Sequence, residues 1–246
     1  MRNFLVLGGS GNLGLALQKN KFFKSRSFFP TKKQINILNE KKIKSFLKTK
    51  KINLIINCAA IARLSECEKN KKKAFDINVI GCLNLLKAIK KVNKNIKLLH
   101  LSSDGVYPCT KGNYDEKSKL KPYNYYGFTK ILSEKVLKSL DNLIITRTRF
   151  FNKNNIPFKY SATDSYSSSL EINQLVRYLE KLIKKDFRGI INVGGKKISD
   201  YNLYKKYKKK LNKCKLQDIQ KELEFKISKD ASMNCDLLYK VIYARK

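Results

Sequence analysis

Tryptophan is absent from this chain, and histidine occurs once, as His100. The six cysteines, Cys58, Cys67, Cys82, Cys109, Cys214 and Cys235, form no Cys-x-x-Cys pair. Zinc sites are built from thiolates and imidazoles at short spacings, so this composition argues against a metal centre. Free thiols in a reducing compartment are the expectation, and the protein is read as cytoplasmic. No stretch approaches the roughly twenty apolar residues that span a bilayer, so no membrane insertion is expected. The first apolar run, Phe4-Leu5-Val6-Leu7, is too short for a signal peptide and is interrupted by Gly8-Gly9-Ser10-Gly11.

Acidic residues are also scarce. There are 19 Asp and Glu against 54 Lys and Arg, a formal net charge of +35. Such an excess suggests nucleic acid or another polyanion. Only eight of the basic residues are arginine, the residue suited to bidentate phosphate and base contacts. The lysines run along the whole chain, as a codon bias toward adenine and thymine would also produce. A nucleic-acid partner is therefore not expected. A basic surface would still attract a small anionic substrate.

What is present is alternation. Residues 2–7 read as a buried strand. Gly8-Gly9-Ser10-Gly11-Asn12-Leu13-Gly14 follows, and Leu15-Ala16-Leu17-Gln18 reads as the start of a helix. Strand, glycine loop and helix are the setting of a dinucleotide-binding turn. Gly8 and Gly11 let the backbone approach a pyrophosphate, and Gly14 allows close packing of the helix. Ser10, Asn12 and Leu13 share the loop, and the helix N-terminus offers free N–H groups. Ser25–Phe29 reads as a second strand. An acid at its end would bind the ribose hydroxyls of NAD, but none is present. Lys32 and Lys33 stand there instead and suit a 2′-phosphate. The reading leans to NADP and leaves NAD open.

Residues 39–49 have helical periodicity, with Ile43, Phe46 and Leu47 on one face. Residues 53–60 form a strand ending in small residues, so Ala59 and Ala60 leave room for a cofactor. A long helix is expected over 68–91, with Asn78 on or beside its apolar face as a buried amide. Strands follow at 97–101, with His100 read as core, and at 143–147. Residues 150–170 are irregular and polar. A helix is expected over 170–184, a short strand and turn over 189–195, and an amphipathic helix from Tyr201 to Leu211 with a solvated lysine face. The pattern predicts an α/β fold, a doubly wound parallel sheet of Rossmann type with a small C-terminal substrate lobe. The expected domains are 1–149, binding NAD(P), and 150–246, binding substrate. Residues 170–195 would add a helix and a strand back to the first domain.

The stretch from Ser102 to Lys130 carries the chemistry. Tyr126 and Lys130 are four apart, one helical turn on one face. A lysine ammonium beside a phenol favours the phenolate and lowers its pKa from about 10. Ser103 could hold a carbonyl oxygen against that phenol. Among thirteen tyrosines and many lysines such a pair also arises by chance on an ordinary surface helix.

Several segments together resemble the extended short-chain dehydrogenase/reductase family, and within it the dTDP-4-dehydrorhamnose reductase branch. They are the glycine loop Gly8–Gly14, Asn36-Ile37-Leu38-Asn39, Asn57-Cys58-Ala59-Ala60, and Asn78-Val79-Ile80-Gly81. Leu101-Ser102-Ser103-Asp104-Gly105-Val106-Tyr107, Pro122–Lys130 with Glu134, and Asp230-Ala231-Ser232-Met233-Asn234 complete the set. The resemblance implies hydride transfer from NADPH or NADH to the ketone of a nucleotide-linked 4-keto-6-deoxy sugar. In that picture Tyr126 donates the proton, Lys130 lowers the tyrosine pKa and binds the nicotinamide ribose, and Ser103 holds the substrate oxygen. Asn78 would support a water path to Lys130. Asn36 and Ser102 would join the cofactor site, and Ser103, Asp104, Tyr107 and Arg149 would face the sugar. The chain departs from the branch in a shortened 150–170 segment and in Gly105, where an aromatic residue is usual. A nucleotide-sugar epimerase or dehydratase, and a non-catalytic cofactor-binding subunit, are the alternatives. The chain would act as a monomer or homodimer.

Overall fold

The computed structural model describes residues 3–244. Six strands form one sheet: β1 Phe4–Leu7, β2 Ser27–Phe28, β3 Leu54–Asn57, β4 Lys97–Ser103, β5 Leu143–Thr148 and β6 Gly189–Val193. Their spatial order is β6-β5-β4-β3-β1-β2, and every pairing is parallel. Parallel strands are buried on both faces, which is why these segments read as nearly continuous apolar runs. β3 and β5 are buried throughout. The order reverses between β1 and β3, and a crevice opens beyond the carboxyl ends of the strands at such a switch point. The fold is thus the doubly wound, Rossmann-type α/β sheet expected. The first strand begins at Phe4; Arg2, included in the expected strand, lies outside the described residues.

The helices are α1 Asn12–Lys19, α2 Lys21–Arg26, α3 Glu40–Thr49, α4 Leu64–Lys69, α5 Lys71–Phe75 and α6 Gly81–Val92. They continue with α7 Tyr125–Leu137, α8 Ile172–Lys184, α9 Asp200–Lys205, α10 Leu216–Lys221 and α11 Asp236–Tyr243. Two apolar clusters cover the two faces of the sheet. One holds Val6, Leu17, Ile56, Leu99, Ile144, Leu175 and Leu179. The other holds Leu5, Ile43, Leu47, Ile55, Leu85, Ile89 and Leu98. Helix α8 shows how sequence makes this packing. Ile172, Leu175, Val176, Leu179 and Leu182 recur at helical spacing and are all buried, and the Glu171 carboxylate caps the first turn by accepting from Asn173 N. No helix among the described residues is long and apolar enough to cross a membrane.

Three expected elements change. The strand at Ser25–Phe29 shrinks to Ser27–Phe28, because the Asn20 side chain caps α2 by accepting from Phe22 N and Phe23 N, and Phe23 is fully buried. The long helix over 68–91 begins earlier and is interrupted. Asn70 ends α4 and caps α5, and Asp76–Ile80 widens into a π-helical turn before α6. The helix expected to reach Leu211 stops at Lys205. Its solvated lysine face is kept, since Lys205, Lys206, Lys209 and Lys210 are exposed, and two lysines also tie down nearby carbonyls: Lys205 Nζ donates to Lys209 O and Leu211 O, and Lys208 Nζ to Ile156 O and Phe158 O. Residues 150–170, expected to be irregular, contribute short strands. Phe150–Phe151 pairs with Leu170–Glu171, Tyr160–Ala162 with Asn212–Cys214, and Tyr166–Ser167 with Ile198–Ser199.

Candidate active site

A cleft of about 790 Å³ opens at the switch point. The glycine loop forms one wall, the ends of β4 and β5 form its floor, and the C-terminal segments close the far side. Gly8, Gly11, Asn12, Leu13, Gly14 and Ala60 line it at one end, and Ser102, Ser103, Asp104, Tyr126 and Arg149 line it centrally. At Gly8 the backbone has φ +78°, and an added Cβ would lie 2.7 Å from Ala59 N. At Gly14 a Cβ would meet Gly8 O and Gly9 O at 2.5 Å. Only bare backbone closes this turn. Helix α1 begins at its edge with no side-chain cap and no acid in its first turn. The loop therefore turns free N–H groups and no negative charge toward the cleft, a fit for a pyrophosphate.

The catalytic candidates gather on α7 and on the turn after β4. Asn124 Oδ1 accepts from Gly127 N and starts α7, so Tyr126 stands in its first turn. Gly127 packs so closely on the Asp104–Val106 turn that a Cβ would lie 2.1 Å from Gly105 O. This contact sets Tyr126 against Ser103. Ser103 Oγ donates to Asp104 Oδ1 at 3.1 Å and accepts from Gly105 N at 3.0 Å. Asp104 Oδ2 lies 2.6 Å from Arg149 Nε. Arg149 also donates to Ser228 Oγ at 3.2 Å and to Tyr123 OH at 3.4 Å.

Burial pushes the Tyr126 phenol above its ordinary range, and the Asp104 carboxylate adds to this. The Ser103 hydroxyl works in the opposite direction. The expected lowering of the tyrosine by Lys130 is corrected: the lysine is not among the leading influences on that phenol. Its amine lies 3.2 Å from His100 Nε2, in a pocket where burial pulls its own pKa down. Neutral, protonated Tyr126 is the species the site favours, which suits a proton donor.

Other expected site residues lie elsewhere. Tyr107 does not face the cleft. It is fully buried, donates to Asn192 Oδ1 at 2.8 Å, accepts from Arg147 Nη1 at 2.9 Å, and stacks on Tyr114. The tight helical turn Asp104–Val106 leads from the cleft wall to this buried position. Asn78 sits in the π-helical turn, and its amide is spent on Ile61 and on Thr129 Oγ1, beside Lys130 but not on it. Ser10, Lys32, Asn36 and Ala59 are not among the cleft-lining residues. Lys32 is exposed, Asn36 Oδ1 accepts from Leu38 N within its own turn, and Ala59 N donates to Asn57 Oδ1.

The structure adds residues the sequence reading passed over. Tyr123, Asp200, Tyr204 and Ser165 line the far side of the cleft, and Ser165 Oγ donates to Asp200 Oδ2. Leu216 and Ile219 of α10 reach it from outside. No local pattern marks these positions. His100 had a signal, a lone polar residue inside a buried strand.

A glycine loop at the switch point of a parallel sheet, opening on a cleft with a serine and a tyrosine, defines a nucleotide-binding α/β protein. Residues 1–158 match the family model described as the RmlD substrate binding domain, and the chain belongs to that family. It is 30% identical over 179 residues to methionine adenosyltransferase 2 subunit beta of Xenopus laevis, covering 68% of this chain and 50% of that protein. It is 31% identical over 152 residues to the dTDP-4-dehydrorhamnose reductase of Aggregatibacter actinomycetemcomitans, covering 60% of this chain and 51% of that protein. The chain thus spans about half the length of these curated relatives. A dTDP-4-dehydrorhamnose reductase from Bacillus anthracis, in complex with NADP, shares the fold with a TM-score of 0.87 at 24% identity, covering 97% of this chain and 92% of that one.

Proposed function

We propose that this protein reduces a keto group of a nucleotide-linked 4-keto-6-deoxy sugar with a nicotinamide dinucleotide, NADPH before NADH. The observation that carries the reading is the meeting of Ser103, Tyr126 and the glycine loop in one cleft. Gly8, Gly11, Asn12 and Leu13 would hold the pyrophosphate, and the bound dinucleotide supplies hydride. Ser103 holds the carbonyl oxygen, and Tyr126, kept protonated by burial, gives its proton to the developing alkoxide. Residues 150–246 would serve as the sugar-side lobe, with 170–195 returning to the sheet. The likeness to the Aggregatibacter reductase supports this substrate class.

The test is to mix the purified protein with NADPH and dTDP-4-keto-6-deoxyhexose and follow the nicotinamide absorbance. Oxidation on mixing is expected. Failure to oxidise across a panel of 4-keto nucleotide sugars would sink the proposal. The likeness to a methionine adenosyltransferase subunit favours a second reading, a non-catalytic dinucleotide-binding subunit. That reading predicts binding of NADP without turnover.

A further inference from the structure

Behind the cleft wall, His100 sits in a buried polar network whose donors and acceptors can be assigned. Asn57 Oδ1 accepts from Ala59 N at 3.2 Å, which turns the Asn57 Nδ2 donor toward His100 Nδ1, also at 3.2 Å. Nδ1 is therefore the acceptor, and the neutral ring carries its proton on Nε2. Burial keeps the ring neutral by pulling its pKa well down. That Nε2–H points at Ser133 Oγ, 3.0 Å away, and at Lys130 Nζ, 3.2 Å away. Ser133 Oγ spends its own proton on Lys130 O. An N–H aimed at an ammonium is repulsive, and aimed at a neutral amine it is a hydrogen bond.

The other groups facing Lys130 agree. The Glu134 carboxylate is taken by Arg147, at 2.7 and 3.1 Å, and by Ser102. Burial raises the thiols of Cys82 to about 11 and of Cys58 to about 12, so neither offers a thiolate at neutral pH. Among the described residues no free anion faces the amine.

We propose that His100 is a positioning residue that stores the Lys130 side chain as a neutral amine hydrogen-bonded to Nε2–H, from which Lys130 is released toward the cleft by taking up one proton from solvent when a dinucleotide binds. The release half rests on the dinucleotide reading above; the storage half does not.

His100 is the only histidine, so protein labelled with ¹⁵N-histidine gives one pair of ring signals. A protonated Nε2 and an unprotonated Nδ1 are expected from about pH 6 to about pH 9. Lys130→Met should shift the Nε2 signal, and adding NADP⁺ to the unsubstituted protein should shift it the same way. Calorimetry of NADP⁺ binding in two buffers of different ionisation enthalpy should show proton uptake, absent in Lys130→Met. His100→Phe removes the stored state and should tighten NADP⁺ binding about five-fold, the worth of one neutral hydrogen bond. A merely structural role would weaken it. Protonation at Nδ1, or an Nε2 signal indifferent to Lys130→Met, overturns the storage. Binding without proton uptake overturns the release. If NADP⁺ does not bind at all, the dinucleotide reading falls and the release with it, while the ring signals still decide the storage.

Discussion

Asp104 Oδ2 and Arg149 Nε meet at 2.6 Å in the wall of the cleft, one residue from Ser103. Arg149→Met leaves a carboxylate whose side chain is 3% exposed without its cation, at a cost of about 2–3 kcal/mol after allowing for the partly exposed arginine. Burial already holds the Asp104 pKa above the ordinary 3.8, with Arg149 opposing. A carboxyl raised on folding binds more protons folded than unfolded, so stability falls as pH rises from 3.8 through the folded value. Without Arg149 that window extends higher. The melting temperature of the variant should therefore drop below that of the parent by more at neutral pH than near pH 4. An equal drop at both would show that Asp104 does not titrate.

Tyr126→Phe should leave NADP binding intact and lower turnover by roughly 10²–10⁴-fold, the worth of a positioned proton donor. Because the phenol is raised, the acid limb of the reductive reaction should hold as pH rises past neutrality and fail only in strong alkali. Rate against pH, with dinucleotide titration alongside, checks both. Unchanged turnover would remove Tyr126 from the proton step.

Tyr107→Phe separates a core role from a substrate role. The hydroxyl bridges Asn192 and the buried Arg147 guanidinium. Its loss should cost about 1.5–3 kcal/mol of unfolding free energy with KM for the sugar unchanged. A raised KM with unaltered stability would return Tyr107 to the substrate.

Gly127→Ala places a methyl 2.1 Å from Gly105 O, and backbone has to move. Chemical denaturation should show a loss of about 1–3 kcal/mol. Turnover should fall as well, because the same contact holds Tyr126 against Ser103. A variant with parental stability would mean the turn yields freely.

Glu134→Gln breaks the paired hydrogen bonds from Arg147, at 2.7 and 3.1 Å between side chains 5% and 3% exposed. A buried guanidinium without its carboxylate should cost about 3–5 kcal/mol. Adding Arg147→Met should recover part of this, because the pair is coupled. Simple additivity of the two single losses would argue against that coupling.

Much of this protein was legible because its signals are local. The parallel strands are apolar runs, α8 repeats at helical spacing, and the Gly8–Gly14 loop lies between strand and helix. Ser103 and Tyr126 reach the cleft as the sequence suggested, since they stand at a strand end and in the first turn of a helix that Asn124 caps. The core role of Tyr107 was not legible, because its hydroxyl pairs with Asn192 and Arg147, 85 and 40 positions away.

The amino-acid sequence by itself determined the individual strands, the glycine turn and the helical spacing of Tyr126 and Lys130, since each depends on residues a few positions apart. Tertiary structure decided what those side chains touch. Lys130 meets His100, thirty positions away, Arg149 meets Asp104, and Ser165 meets Asp200. Such contacts follow from which strands lie side by side and from the desolvation that packing imposes on the charges between them, and neither is written in any single segment of the chain.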